Sequence, residues 1–168
     1  MSLDFNADEI FEIACRIERN GADFYRQMSE RISHDPTRKM LLDFAAMEEA
    51  HGKIFMAMRK ELTDKKKVKT VFDPDEETIA YLHAMADIHV FDTNAEDDFT
   101  LSDDLSETAK AMKILRASIN REWGSIALYL GMKGLVPETL GKGNIDGILK
   151  EEMRHVNLLS RRLTDLKR

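Results

Sequence analysis

Residues 41 to 62 read LLDFAAMEEAHGKIFMAMRKEL. Steps of three and four pick out Leu41, Phe44, Glu48, His51, Phe55, Met58 and Leu62. Such steps average the repeat of an α-helix, so these residues share one face. The face is apolar except at its centre, where a carboxylate and an imidazole stand one turn apart. A core-facing stripe does not tolerate two polar groups unless something satisfies them. Two explanations fit: a buried hydrogen-bonded pair, or a metal ion with Glu48 and His51 as ligands from one helix, in a Glu-x-x-His arrangement.

The arrangement recurs. Ile145, Ile148, Glu152, His155 and Leu159 form a second apolar stripe with Glu-x-x-His in its middle, and His155 lies 104 residues after His51. The same offset carries Glu18 onto Glu122, Tyr25 onto Tyr129 and Ile10 onto Ile114. Glu18 and Glu122 each precede the Glu of their own Glu-x-x-His by 30 residues. The chain therefore holds two copies of one Glu…Glu-x-x-His unit, an internal repeat that sets the fold and the site together.

The helices follow from the punctuation between the stripes. Asn6 is a good N-cap for the first helix, with Glu9 at the N3 position of a capping box. Phe11, Ala14, Glu18, Gly21, Tyr25, Met28 and Ile32 form its inner stripe, in which Glu18 is a lone carboxylate. Ser33-His34-Asp35-Pro36 ends this helix and starts the second, with Asp35 as the expected cap and Pro36 at the first helical position. So short a connection makes the two helices antiparallel neighbours. Glu18 and Glu48 lie about 16 and 14 residues from the turn centre, so at about 1.5 Å per residue they reach nearly the same height.

Residues 63–72 read as linker, with Lys65-Lys66-Lys67 as a short solvated run, and Asp73-Pro74 marks a helix start. Ile79, Leu82, Ala86 and Val90, with Tyr81 and Met85 beside them, predict a short crossover helix to about Phe91; residues 92–104 form an acidic, solvated loop. A connection this long exceeds a turn between antiparallel neighbours. It lets the chain start its second half at the same end as its first. The third helix is expected from Ser106 to about Met132, with the stripe Ala111, Leu115, Ser118, Glu122, Ser125, Tyr129 and Met132. Its small residues Ser118 and Ser125 leave room beside Glu122. Gly131, Gly134 and Pro137 are expected to break the chain. The fourth helix starts between Glu138 and Asn144 and runs to about Leu166, with basic residues in its last turns that suit the helix dipole. The fold predicted is all-α: one domain over residues 1–168, an antiparallel four-helix bundle of two helix pairs (about 6–63 and 104–166) joined by a long crossover (about 64–103) that contains a short helix.

Composition sets the remaining bounds. At 168 residues, 43% hydrophobic and 33% charged, the chain suits one helical domain with a substantial core. The net charge of −6 comes without a basic patch, so no nucleic-acid partner is expected. Cys15 stands alone, which excludes an intramolecular disulfide and any Cys-based zinc or iron–sulfur site, and fits a reducing compartment, the cytoplasm. The N-terminus has no basic region followed by an apolar run, so no signal peptide is expected, and no apolar run is long enough to span a membrane.

Glu18, Glu48, Glu122 and Glu152 with His51 and His155 make a six-ligand set. Four carboxylates and two neutral imidazoles balance the charge of two divalent cations; without cations, buried carboxylates repel and take up protons. A hard, oxygen-rich set with one nitrogen per metal suits iron or manganese better than copper, and zinc also fits. The expected geometry has two bridging and two terminal carboxylates with one His per metal, leaving positions open for O2 or peroxide.

This layout resembles the ferritin-like di-iron carboxylate superfamily, and within it the rubrerythrin-like branch, over about residues 8–163. The resemblance is carried by Ile17-Glu18-Arg19-Asn20-Gly21 with Phe24-Tyr25, by Glu48-Glu49-Ala50-His51, by Arg121-Glu122 with Ser125-Ile126 and Tyr129, and by Glu151-Glu152-Met153-Arg154-His155. It implies a ferritin-like bundle with two irons at the matching positions, and one of two reactions: reduction of peroxide or O2, or oxidation of Fe(II) for storage. Rubrerythrins proper add a C-terminal rubredoxin domain with two Cys-x-x-Cys pairs, which a chain with one Cys does not supply, so a separate electron donor is expected. They also carry an extra Glu one turn after the third-helix ligand, where this chain has Ser125. The remaining six ligands resemble the more symmetric bacterioferritin-type site. Gly52 beside His51 offers nothing to a haem, and none is expected.

Other residues take plainer readings. For Tyr25 and Tyr129, hydrogen bonding to a ligand carboxylate, electron transfer and plain core packing all fit. Cys15 and the ten Met are read as core. Glu49 and Glu151 point about 100° away from their ligand neighbours and are read as surface. His34 is read as a turn residue, and His83 and His89 as solvent-exposed. Three functions remain open: an oxidoreductase reducing peroxide or O2, an iron-handling protein, and a bundle whose metal only fixes the fold. The long crossover looks more like that of a homodimer than of a closed storage shell.

Overall fold

The computed structural model describes residues 7–64, 77–86 and 101–168, and all its regular structure there is helical. Five α-helices appear in chain order: α1 (Ala7–Glu30), α2 (Asp35–Asp64), α3 (Glu77–Ala86), α4 (Glu107–Leu135) and α5 (Lys142–Asp165). α1 packs along α2 and α4 along α5; contacts of α1 with α4 and of α2 with α5 close the two pairs into a four-helix bundle, with α3 against α4. Among the described residues no helix is long and apolar enough to cross a membrane.

The apolar stripes face inward as their period requires. They form two clusters along the bundle. One contains Phe11, Phe55, Tyr129, Met132 and Ile145. The other contains Tyr25, Leu41, Phe44, Ile114, Leu115 and Leu159. Each buried Leu or Phe contributes about 1.5–3 kcal/mol. Between the clusters in sequence, on every long helix, stand buried polar groups: Glu18, Glu48, His51, Glu122, Glu152 and His155. Met28, Met58 and Met132 fill core as expected, but Met56 and Met153 are exposed. Cys15 is partly buried and packs on the first cluster.

The ends of the helices differ from expectation in four places. The second helix is capped by His34, whose carbonyl accepts from Thr37 N (3.0 Å) and Arg38 N (2.9 Å); Asp35, expected as the cap, is the first helical residue. His34 Nδ1 also lies 2.9 Å from Thr37 Oγ1, one turn into the helix. α2 continues to Asp64, through the first residues of the expected linker. α4 starts after the Ser106 cap, whose side chain accepts from Ala109 N, but runs past Met132 to Leu135. Gly131 does not break it: a Cβ there would come within 3.0 Å of Leu82 and 3.1 Å of Tyr81, so this glycine is the notch that seats α3. The true break is a single turn of 3-10 helix at Glu138–Leu140 followed by Gly141 at φ 95°, a conformation that favours glycine, which fixes the start of α5 at Lys142. The expectations for Asn6, Lys65-Lys66-Lys67, Asp73-Pro74, the His83 side chain, His89 and the course of the crossover over 87–100 lie outside the described residues.

Polar contacts tie the turns to the opposite pair. Glu107 at the start of α4 accepts from Ser33 N (2.8 Å) in the α1–α2 turn, and Arg162 near the end of α5 donates to Thr37 Oγ1 (3.3 Å) and lies against the His34 ring. These contacts fasten the two pairs to each other at the end of the bundle that carries the α1–α2 turn.

Candidate metal centre

All six expected ligands come together. Glu18, Glu48, His51 and Glu152 place one donor atom each within 4.8 Å of one another, and so do Glu48, Glu122, Glu152 and His155. Glu48 and Glu152 belong to both groups; Glu18 with His51, and Glu122 with His155, belong to one each. Two shared and two unshared carboxylates, with one imidazole in each group, match the composition expected for a two-ion set. The two imidazole rings are nearly parallel, at 20°, with centroids 5.9 Å apart.

Each imidazole turns Nδ1 inward. His51 Nδ1 lies 2.9 Å from Glu152 Oε1 and 3.6 Å from Glu18 Oε2. His155 Nδ1 lies 3.1 Å from Glu152 Oε2, 3.5 Å from Glu122 Oε2 and 3.6 Å from Glu48 Oε1. The two oxygens of Glu152 therefore face different imidazoles. Glu18 Oε2, Glu48 Oε1, His51 Nδ1 and Glu152 Oε1 are nevertheless buried without a well-formed hydrogen bond. Buried polar atoms are normally paired. Four unpaired donor atoms of ligand type in one place do not make the hydrogen-bonded pair that the first stripe alone allowed. They fit divalent cations, and the mixture of carboxylate oxygens with one nitrogen on each side suits iron or manganese.

The protonation pattern has the same cause. Burial, then the carboxylates of Glu152, Glu18 and Glu122, push Glu48 well above the usual carboxyl range. Burial likewise raises Glu122, to about 8. Burial opposes charge on the imidazoles, but the neighbouring carboxylates outweigh it and raise His51 to about 11 and His155 to about 9. Glu152 is held below its usual range: burial works against its charge, and the close approach of Glu122 and both imidazoles prevails. Protons occupy the cluster when cations do not.

The tyrosines act across the bundle. Tyr25 on α1 donates to Glu122 Oε1 on α4, and Tyr129 on α4 donates to Glu18 Oε1 on α1. Burial, then the nearby carboxylates, push both phenols well above their ordinary range, so they stay protonated and remain donors. Each terminal carboxylate thus has Oε1 pinned and Oε2 turned to the centre. A small opening of about 30 Å³, lined in part by Gly21, Tyr25, Glu48, Arg121, Glu122 and Ser125, reaches two of the ligands. Ser125 borders the space that the small residues of α4 were expected to leave.

Two residues of the site were not expected. Glu151, read as surface, is half-buried and reaches His51 Nε2 at 2.9 Å. Met47 places its sulfur 3.4 Å from His155 Nε2. The residues just before Glu48 and Glu152 are themselves related by the 104-residue offset, and that was the available signal. Glu49 is a surface residue as expected, paired with Arg26.

The sequence profile of the rubrerythrin family matches residues 9–124, more than half of the chain. The chain belongs to the rubrerythrin family. The matched span holds Glu18, Glu48, His51 and Glu122; Glu152 and His155 of this rubrerythrin-family chain lie beyond it and are brought in by the fold. Its structure is similar to the crystal structure of a protein from Thermotoga maritima described as a ferritin-like diiron-carboxylate protein, at a TM-score of 0.64 and 24% identity over 95% of each chain. That likeness shows the ferritin-like fold. No curated protein matches the chain.

Proposed function

We propose that this chain is a di-iron oxidoreductase that reduces hydrogen peroxide or O2 with electrons from a separate donor. The observation that supports it is the position of the unpaired donor set beside an opening of about 30 Å³, room for a molecule of two oxygen atoms and little more. Two ferrous ions held by Glu18, Glu48, His51, Glu122, Glu152 and His155 would polarise the oxidant and supply its two electrons.

The protein's own groups do the rest. Tyr25 and Tyr129 hold Glu122 and Glu18 in one orientation, so the terminal carboxylates do not swing into the space for the oxidant. Reduction of H2O2 to two waters consumes two electrons and two protons. The opening beside Glu122 and Glu48 is the route by which those protons would arrive from outside.

Anaerobic loading with Fe(II), followed by separate additions of peroxide and O2, tests the reading. Peroxide or O2 is expected to oxidise the bound iron within one mixing, and a reduced small iron–sulfur protein is expected to sustain turnover. Iron that is oxidised once and then accumulates would favour the iron-handling alternative. No oxidation by either oxidant would leave a metal that only fixes the fold.

A further inference from the structure

We propose that the two metal positions are inequivalent: the one served by His51 takes up a divalent cation before the one served by His155, because Glu151 backs the first imidazole and Met47 backs the second. The inference rests on the cluster being a metal centre and adds to it an order of filling.

The 104-residue repeat makes the ligands themselves a matched pair of sets, and the matching extends to the tyrosines, since Tyr129 holds Glu18 as Tyr25 holds Glu122. It fails one shell out. Both imidazoles present Nδ1 to the centre, which leaves Nε2 to carry the outward hydrogen. His51 Nε2 meets Glu151 Oε2 at 2.9 Å. His155 Nε2 meets Met47 Sδ at 3.4 Å, and its ring stacks on Phe44 with centroids 4.5 Å apart. Residue 47 plus the offset of 104 gives 151, so the methionine stands where the repeat would put the second carboxylate.

A carboxylate that accepts the outward N–H pushes electron density through the ring and makes the inner nitrogen a stronger ligand. It also holds the ring at a fixed angle. Such outer partners change metal affinity by about 10- to 100-fold. A thioether is a weak acceptor and brings no charge. The surroundings of His155 are therefore apolar on its outer side, and its position is the weaker of the two.

The test is a Zn(II) titration of the chelator-stripped full chain carrying 15N-labelled imidazoles, followed by the Nδ1 resonances of His51 and His155. The His51 signal is expected to reach its zinc-bound position during the first equivalent and the His155 signal during the second. Glu151→Gln keeps an acceptor but removes the charge, and at 44% side-chain exposure it does not threaten the fold. It is expected to weaken binding at His51 by about 10- to 100-fold and to bring the two signals together. Met47→Glu is expected to narrow the gap from the other side, by strengthening His155. Parallel shifts of both rings in the parent protein, or an unchanged gap in Glu151→Gln, would overturn the inference while leaving the metal centre intact. If neither ring moves at any zinc concentration, the centre itself is refuted and the inference with it.

Discussion

Tyr129 on α4 donates its hydroxyl to Glu18 on α1, a carboxylate 111 residues away in sequence. Tyr25 does the same for Glu122 in the opposite direction. Each phenol is fully buried, so removing its oxygen leaves a buried carboxylate oxygen without its hydrogen-bond partner. Leaving a buried acceptor without its partner costs about 1–3 kcal/mol. Tyr25→Phe and Tyr129→Phe should each lower the unfolding free energy of the chelator-stripped protein by about that much. Urea unfolding measures it. A loss within about 0.5 kcal/mol of zero, the range of a plain surface change, would mean that the phenols only pack.

Stoichiometry separates bridging from terminal carboxylates. Glu48 and Glu152 belong to both donor groups, whereas Glu18 belongs to one. A family site of this type holds about two ions per chain. Glu48→Ala combined with Glu152→Ala should bind almost none, and Glu18→Ala should retain about one, at the His155 side. Elemental analysis after dialysis reads this directly. Equal losses for Glu18→Ala and the double variant would remove the bridging assignment.

The stripped protein should lose stability as the pH rises through neutrality. Glu122 sits at about 8 in the folded chain against an ordinary 4.5, and His51 and His155 at about 11 and 9 against 6.5. A group raised in the folded state adds its full stability below the unfolded pKa and gives it up as the pH climbs through the folded one. Glu122 therefore gives up its share between pH 4.5 and about 8, and the imidazoles theirs from 6.5 up to about 9 and 11. Glu152, lowered in the folded chain, acts in the other direction and withdraws its share only on acidification. Melting temperatures of the stripped protein should fall between pH 6.5 and 9. Those of the Zn(II)-loaded protein should fall less, because the cation replaces the protons. A melting temperature that rises over this interval in the stripped protein contradicts the account.

That Glu18, Glu48, His51, Glu122, Glu152 and His155 come together could be read from the sequence because each breaks an apolar stripe of helical period, and because the repeat supplied a second copy of every position. Periodicity constrains which face a residue occupies. It does not say what a long side chain reaches across to. Glu151 was read as surface because its Cα direction points away from the centre, yet its carboxylate spans the gap to α2 and meets His51. Gly131 failed for a related reason. As a local signal it reads as a helix breaker, but its role is set by Tyr81 and Leu82, about 50 residues earlier in the chain and on another helix. The choice of His34 over Asp35 as cap moved a boundary by one residue, within the ordinary play of helix ends.

Gly21 links the opening to the ligands and gives a test that separates packing from propensity. A Cβ at this position would stand 3.1 Å from Glu48 Oε2 and 3.4 Å from Glu48 Cγ, so the carboxylate would have to shift by some tenths of an ångström. Gly147, exposed on α5, has nothing within 4 Å of an added Cβ. Helix propensity favours alanine at both by about 0.8–1 kcal/mol. Gly147→Ala should therefore raise the stability of the stripped protein by roughly that amount and leave Zn(II) affinity unchanged. In Gly21→Ala the propensity gain is offset by overpacking of about 1–3 kcal/mol. That strain falls on a bridging ligand, so zinc should bind about 5- to 150-fold more weakly, at 1.4 kcal/mol per tenfold. Isothermal titration of the two variants beside the parent measures the difference. Unaltered zinc affinity in Gly21→Ala would show that Glu48 can retreat without leaving the centre, and that the space beside it is looser than the contact distances imply.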